Sequence, residues 1–174
     1  MAVHQIIEIP DPRLRTISTP VAVVDDAVRA VIDDMFDTMY AARGIGLAAI
    51  QIGIPQRILV IDLQEDGEDG KPVREPRVFI NPEIVATDDD INVYNEGCLS
   101  VPDQYAEVER PAGCRVRWLD RDGAAHDEQL TGLLATCIQH EMDHLEGVIF
   151  IDHLSRLKRE MVLKKLAKQR KAAA

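Results

Sequence analysis

The chain has 174 residues, the length of one domain, of which 46% are hydrophobic and 29% charged. It contains no apolar run near the roughly 20 residues that cross a bilayer, which argues against a membrane protein. Charges and prolines interrupt residues 1 to 15, where a secretory signal needs an apolar stretch, so we expect a cytoplasmic protein. Three cysteines without an export signal argue against a disulfide framework.

The charge is distributed unevenly along the chain. The net charge is −10, but residues 155 to 174 hold eight Lys or Arg and one Glu, a net of +7, which leaves −17 (−10 minus 7) for the rest. An acidic body repels nucleic acid, so we expect no DNA binding, whereas the basic end is able to bind a polyanion. The basic residues are Arg156, Lys158, Arg159, Lys164, Lys165, Lys168, Arg170 and Lys171.

The first part of the chain predicts one helix and one buried strand. Apolar residues recur at helical spacing over Asp25–Ala42, with Asp25 a suitable N-cap and Gly44 a stop signal. A loop follows at Gly44–Ala49. Arg57–Leu63 is rich in β-branched residues, which is typical of a buried strand.

The middle of the chain predicts short strands. After a polar loop at Glu65–Pro76, strand candidates follow at Arg77–Ile80, Tyr105–Arg110 and Arg115–Leu119. Asp122-Gly123 is typical of a hairpin turn that leads into one further strand. Strands that follow one another between helices indicate an α+β fold.

Two more helices are predicted at the end of the chain. Thr131 is a suitable N-cap for a helix that runs to about Glu146, and Gly147 stands where left-handed termination is expected. Ser155 then begins a basic helix that ends near Lys171.

The most specific local pattern is His140-Glu141-Met142-Asp143-His144. Histidines at i and i+4 lie on one helical face and can bind one metal, and Glu141 is placed to serve a metal-bound water instead of ligating. The alternative is a pair of surface histidines without a metal. We expect short antiparallel or mixed sheets packed around this central helix, with one helix N-terminal to them and the basic helix C-terminal.

A hydrolytic metal site usually has three protein ligands and one position open to water, so the histidine pair needs a third ligand. Metalloprotease patterns place it downstream, where this chain has Phe150 and Lys164 instead. Glu160 lies among basic residues and is better explained as a local ion-pair partner. Cys98, between a glycine and a polar turn, is the upstream candidate, although a cysteine taken alone is more often a small buried hydrophobe.

Three segments together resemble the signature motifs of bacterial peptide deformylases, in the same order and spacing. The resemblance also covers Ile9–Arg15 and the Leu119–Gly123 turn and runs through most of residues 1 to 155, apart from the acidic loop and the final helix. The three segments are Gly44-Ile45-Gly46-Leu47-Ala48-Ala49-Ile50-Gln51, Glu96-Gly97-Cys98-Leu99-Ser100 and Gln139-His140-Glu141-Met142-Asp143-His144.

The resemblance implies a hydrolase that removes the N-formyl group from the formylmethionine of nascent polypeptides. One divalent metal ion would be held by Cys98, His140 and His144, with water as the fourth ligand. Fe(II) is typical of the family and Zn, Ni or Co can replace it, whereas the spacing alone would have favoured zinc. Glu141 would carry protons as a general base and acid.

The same resemblance implies how the substrate is bound. The side-chain amide of Gln51 and the backbone N–H of Leu99 would stabilise the negative charge that develops on the formyl oxygen. Gly46 and Gly97 would offer backbone groups to the peptide, since a residue without Cβ allows close approach.

A methionine side chain needs an apolar slot, for which Ile45, Leu133 and Cys137 are suitably placed. Leu133, Cys137 and His140 follow i, i+4 and i+7 on one face of the predicted helix. A plain core position explains Leu133 and Cys137 equally well. Tyr105 occupies a place where some relatives carry arginine, which leaves the preference for residues after formylmethionine open.

Two other functions stay open on the residues alone. A zincin-like endopeptidase fits the helix motif but lacks its downstream ligand, and a catalytically dead ribosome-associated adaptor fits the basic helix but not the intact site. Deformylases with a similar C-terminal helix dock near the ribosomal exit tunnel, so the resemblance implies that residues 155–174 extend a catalytic domain at 1–154 and bind the ribosome. The alternative is a solvated helix with Leu157, Met161 and Leu166 packed on the body.

Overall fold

The computed structural model describes all residues from 1 to 174, and every pair of its strands is antiparallel. The helices are α1 (Asp26–Ala41), α2 (Gly132–Leu145) and α3 (Arg156–Ala173). The strands are β1 (Gly46–Ala48), β2 (Ile58–Ile61), β3 (Arg77–Thr87), β4 (Ile91–Cys98), β5 (Val101–Pro111), β6 (Gly113–Leu119) and β7 (Ala125–Thr131).

The strands form two sheets, which confirms the predicted α+β fold. One sheet has the order β1-β2-β3-β6-β7, and β4 pairs with β5 in a separate two-stranded sheet. The turn at Asp122-Gly123 joins β6 to β7 as predicted, with Gly123 at φ 81°. None of the three helices is long and apolar enough to span a bilayer.

Helix α2 is the centre of the structure, because residues 135 to 141 are all buried. A helix that is buried on every side must lie between layers of other elements. Ile138 and Leu145 pack against the five-stranded sheet in the same apolar cluster as Phe79 and Val116. On another side, the ring of His140 stacks on Phe150 with centroids 6.2 Å apart. The predicted central helix is therefore present, and its functional face lies inside the protein.

The ends of the helices match the predictions with one exception. The Asp25 carboxylate accepts a hydrogen bond from the Val28 N–H at 3.0 Å and caps α1. The Ser155 hydroxyl accepts from the Lys158 N–H at 3.3 Å and caps α3. Thr131 occupies the N-cap position of α2 as predicted, but its side chain makes no capping hydrogen bond.

Two strands were not predicted. Gly46–Ala48, expected as part of a loop, pairs with β2 as strand β1, and Ile91–Cys98 forms β4. Strand β3 also continues beyond its predicted end at Ile80 to Thr87. β4 escapes detection because polar and glycine residues occupy both of its faces, so it lacks the alternation that marks a half-buried strand.

Helix α3 packs on the body through Leu166, one of the three residues proposed from the sequence, and through Val162, which was not proposed. Val162 and Leu166 are buried, whereas Leu157 and Met161 are 68% and 50% exposed, so their predicted packing is wrong. Gln104 on β5 donates a hydrogen bond from Nε2 to Oε1 of Gln169 at 3.0 Å.

Candidate active site

A cleft of about 660 Å³ lies between the segment that leads into β1, the β4–β5 hairpin and the buried face of α2. Ten of the eleven predicted site residues line it, and the remaining one, His144, is fully buried beside it. Those ten are Ile45, Gly46, Gln51, Gly97, Cys98, Leu99, Leu133, Cys137, His140 and Glu141.

Cys98, His140 and His144 form a cluster that suits a metal ion. Their candidate donor atoms all lie within 4.8 Å of one another, and Cys98 Sγ lies 3.4 Å from His144 Nε2. Burial lowers the pKa of the His144 imidazole well below its usual value, so this ring is neutral and able to ligate. One thiol and two imidazoles are the donors that bind first-row divalent metals. The three residues therefore fit a single divalent ion.

The orientation of His140 is set by Glu96. His140 Nδ1 donates to Glu96 Oε1 at 2.9 Å, because a carboxylate can only accept, and this leaves Nε2 to face the cluster. Arg110 donates to the same carboxylate from Nε at 2.7 Å and Nη2 at 3.0 Å. Burial alone would raise the pKa of Glu96, but the hydrogen bonds from His140 and Arg110 outweigh it and hold that pKa below its usual value. Arg110 also donates to Asp143 Oδ2 at 2.9 Å, which ties the hairpin to α2.

Replacing Glu96 with Ala is expected to destabilise the fold strongly. The side chains of Glu96 and Arg110 are only 6% and 5% exposed, so the substitution leaves a buried guanidinium without its bidentate partner. Removing one partner of a buried ion pair costs about 3–5 kcal/mol of the free energy of unfolding. Urea denaturation of Glu96→Ala measures this loss, with Glu107→Ala, an exposed glutamate on the same hairpin, as the matched control. Equal stability of the two variants would contradict the assignment.

Glu141 is buried beside the cluster without its full set of hydrogen bonds. Its Oε1 lies 3.9 Å from His140 Nε2, and its buried Oε2 has no hydrogen-bond partner. Burial raises the pKa of the Glu141 carboxyl to about 7, so both protonation states are accessible near neutral pH. A Cβ on Gly46 would lie 2.7 Å from Oε1, so the absence of a side chain at Gly46 is what leaves room for the carboxylate.

Two hydrogen-bond donors lie on the other side of the cluster. Gln51 is buried, and its Nε2 donates to Ser100 Oγ at 3.0 Å and lies 3.6 Å from Cys98 Sγ. Its Oε1 accepts from the Ala48 N–H at 2.9 Å, which fixes the amide with its NH₂ group toward the cluster. The N–H of Leu99, in the turn between β4 and β5, makes no hydrogen bond and is free to donate.

The walls of the cleft next to α2 are largely apolar. Ile45 is 37% exposed, Leu133 is partly buried, and Cys137 is 9% exposed. Burial raises the pKa of the Cys137 thiol to about 12, so this residue is a neutral, apolar part of the wall. Cys137 and Leu133 also contact the main apolar cluster, so they serve both as core and as cleft lining.

No local sequence pattern indicated that Arg110 or Ser100 belongs to the site, or that Glu96 has a role in it. Arg110 lies 33 residues from Asp143, and Glu96 lies 44 residues from His140. No local spacing connects residues so far apart. The one available signal was the position of Glu96 within the same short motif as Cys98.

Comparison with known proteins identifies a family. The sequence profile described as "Polypeptide deformylase" matches residues 3–160. A protein named peptide deformylase from Rhizorhabdus wittichii is 70% identical over 173 residues, covering 99% of this chain and 98% of its own. Another from Novosphingobium aromaticivorans is 61% identical over 188 residues, with 99% and 100% coverage.

Solved structures of the same name have the same fold. The crystal structure of a peptide deformylase from Legionella pneumophila matches with a TM-score of 0.89 and 45% identity, over 99% of this chain and 98% of that one. A peptide deformylase from Ehrlichia chaffeensis, solved in complex with actinonin, matches with a TM-score of 0.90 and 41% identity, over 97% and 98%.

Proposed function

This chain belongs to the polypeptide deformylase family, enzymes that remove the N-formyl group from nascent polypeptides, and on that premise we propose how its residues perform the reaction. The observation that carries the proposal is the cluster of Cys98, His140 and His144 with the buried Glu141 carboxylate beside it in an open cleft. The substrate is the formylmethionine end of a nascent peptide, and we place the enzyme in the cytoplasm, where such chains are made.

Cys98, His140 and His144 would hold the metal. When bound, the ion supplies Lewis acidity that activates water and polarises the formyl carbonyl. We propose Fe(II) as the natural ion, with Zn, Ni or Co able to substitute, on the strength of the family resemblance and of a donor set that suits each of them. Glu96 supports this role because it holds His140 with Nε2 toward the cluster.

Proton transfer is assigned to Glu141. As a carboxylate it takes a proton from the attacking water, and as an acid it delivers that proton to the amine that leaves as formate is released. Its unpartnered Oε2 and its raised pKa of about 7 support both steps. The nitrogen of the methionine thereby becomes a free amino terminus.

The remaining residues orient the substrate. The Gln51 amide and the Leu99 N–H donate to the formyl oxygen, which gains negative charge as water attacks. Gly46 and Gly97 offer backbone groups to the peptide. The methionine side chain enters the apolar slot formed by three residues of the walls: Ile45, Leu133 and Cys137.

One assay separates this function from the alternatives. Incubated with formyl-Met-Ala-Ser, a deformylase releases formate and an equal amount of Met-Ala-Ser with a free amino group. An endopeptidase would instead cut between amino acids, and an adaptor without activity would leave the peptide intact. Proton NMR of the reaction mixture resolves formate, the intact peptide and its fragments.

Gly46→Ala is expected to lower kcat about tenfold or more while the metal content stays at the wild-type level. The added Cβ displaces the Glu141 carboxylate by steric conflict with Oε1 and does not touch the metal ligands. A small misplacement of a catalytic group is enough for a loss of this size. Formate release is measured together with metal content and the thermal midpoint. Wild-type kcat in a folded variant would show that Glu141 tolerates the displacement.

We further propose that α3 binds the ribosome. The lysines of α3 are exposed and take part in no ion pair, unlike Arg156 and Arg170, which lie 3.1 Å from Glu160 and Glu8. The exposed Leu157 is available to the same partner. Ribosomal RNA is the polyanion at the place where the substrate emerges, and its attraction to lysines depends on salt.

Replacing Lys164, Lys165, Lys168 and Lys171 together with Gln is expected to abolish co-sedimentation with ribosomes at low salt and to leave formate release from short peptides near the wild-type rate. These side chains are exposed and lie outside the cleft, so neither the fold nor the reaction depends on them. A combined substitution is preferable to truncation, because Val162 and Leu166 belong to the core. Unchanged ribosome binding by this variant would exclude α3 as the contact.

A further inference from the structure

Two charged residues line the cleft without a role in the proposed reaction, Arg43 and Asp103. Both side chains are exposed, and neither takes part in an ion pair or a side-chain hydrogen bond. Most arginines of this acidic chain lie within 4.0 Å of a carboxylate oxygen. Arg43 is therefore a free cation at the rim of a cleft that accepts peptides.

The backbone at these two positions is unusual. Arg43 has φ 58° and Asp103 has φ 59°, and both are non-glycine residues in the left-handed region, where Cβ crowds the following carbonyl. Glycine is the usual residue at a helix end such as that of Arg43. Strained conformations of this kind concentrate at functional sites, so the side chains of Arg43 and Asp103 are candidates for contact with a bound ligand.

The turn that carries Arg43 is held firmly. The Arg43 N–H donates to the Tyr40 carbonyl at 3.0 Å, and the Gly44 N–H donates to the Met39 carbonyl at 2.9 Å. The Gly44 carbonyl accepts from Gln64 Nε2 at 3.1 Å. The backbone of Arg43 is therefore fixed at the wall of the cleft.

The short chain distance between Arg43 and Gly46 indicates that Arg43 can contact the part of a bound peptide that follows formylmethionine. Gly46 lies beside Glu141, where the formyl group reacts, and Arg43 precedes Gly46 by three residues. Three residues span at most about 10 Å, and less here because Arg43 lies in a turn. A bound peptide in extended conformation covers that distance with its first three residues, so the long Arg43 side chain reaches the second or third of them.

We propose that Arg43 determines specificity by favouring nascent chains with an acidic side chain at the second or third residue. The inference rests on the proposed deformylase function and adds to it the class of substrate that is processed fastest. Asp103, which carries the opposite charge on the β5 side of the cleft, opposes this preference. Arg43 is the one exposed cation among the cleft residues, so acidic peptides gain a partner there that neutral and basic peptides lack.

The test compares two peptides that differ in charge at one position, formyl-Met-Ala-Glu-amide and formyl-Met-Ala-Lys-amide, and a second pair with Glu or Lys directly after methionine. We expect kcat/KM to favour the Glu peptide of at least one pair by about threefold or more at low salt. The preference should fall towards unity at about 0.5 M salt, where exposed charges are screened. Because the readout is a ratio on one enzyme preparation, a partly inactive variant does not disturb it.

Variants assign the preference to one side chain. Arg43→Ala should remove it, Arg43→Lys should retain it, and Asp103→Asn should increase it. Arg117→Ala, which removes a positive charge from an exposed position on β6 outside the cleft, should leave the ratio unchanged. Equal kcat/KM for both members of each pair in the wild type, or an unaltered ratio in Arg43→Ala, would overturn the proposal. Failure to release formate from any formyl peptide would instead overturn the function on which it rests.

Discussion

Cys98→Ala is expected to abolish stoichiometric metal binding and formate release together. After the substitution the cluster keeps only His140 and His144, and two imidazoles do not hold a first-row divalent ion at working affinity. The fold should survive, since Cys98 is only partly buried and the ion pair of Glu96 with Arg110 stays intact. Metal analysis of the purified variant and a formate assay measure the two losses.

A cysteine elsewhere in the chain provides the control for this variant. Cys114→Ala changes a fully buried thiol on β6, away from the cluster, and should keep one metal ion per chain. If Cys98→Ala retains full metal content, Cys98 is not a ligand and the third donor must be sought elsewhere.

Glu141→Gln is expected to lower kcat by roughly 10²–10⁴-fold while the metal content stays at the wild-type level. The amide preserves the shape of the side chain but cannot accept the proton from water. Glu141 is not one of the three proposed ligands, so Glu141→Gln should lose activity and keep the metal. Cys98→Ala, in contrast, should lose both.

Comparing Glu141→Gln with Cys98→Ala distinguishes a loss of proton transfer from a loss of metal binding. Deformylation by Glu141→Gln within a few fold of the wild-type rate would mean that another group moves the proton. Loss of the metal from the same variant would assign Glu141 to the ligand set and not to proton transfer. A thermal midpoint near that of the wild type confirms that the fold is unchanged.

Local patterns were enough to predict the helices and part of the site. The Asp25 cap and the apolar spacing that follows it predict the ends of α1 to within a few residues. This is possible because the contacts that stabilise a helix join residues only three or four positions apart. The same periodicity places His140 and His144 on one face of α2. Cys98 was a candidate from its place between a glycine and a polar turn, the family resemblance then implied it as a ligand, and its distance from His144 agrees with that expectation.

Nonlocal features could not be predicted in this way. Strand β4 has polar residues on both faces because its inner face carries Glu96, which serves His140, and its outer face is exposed to solvent. The position of Arg110 beneath the cluster depends on the pairing of β5 with β4, a register that no single segment encodes. The packing of α3 through Val162 in place of Leu157 likewise depends on the surface that receives the helix.

We propose that one metal ion, held by Cys98, His140 and His144, allows this chain to release formate from formylated peptides. The most direct test is to strip the chain of metal, add Fe(II) stepwise without oxygen, and record the rate of formate release from formyl-Met-Ala-Ser. The stripped chain should be inactive, and the rate should then rise linearly with added Fe(II) and level off at one ion per chain. A full rate in the stripped chain with chelator present, or a plateau at any other ratio, would contradict the proposal.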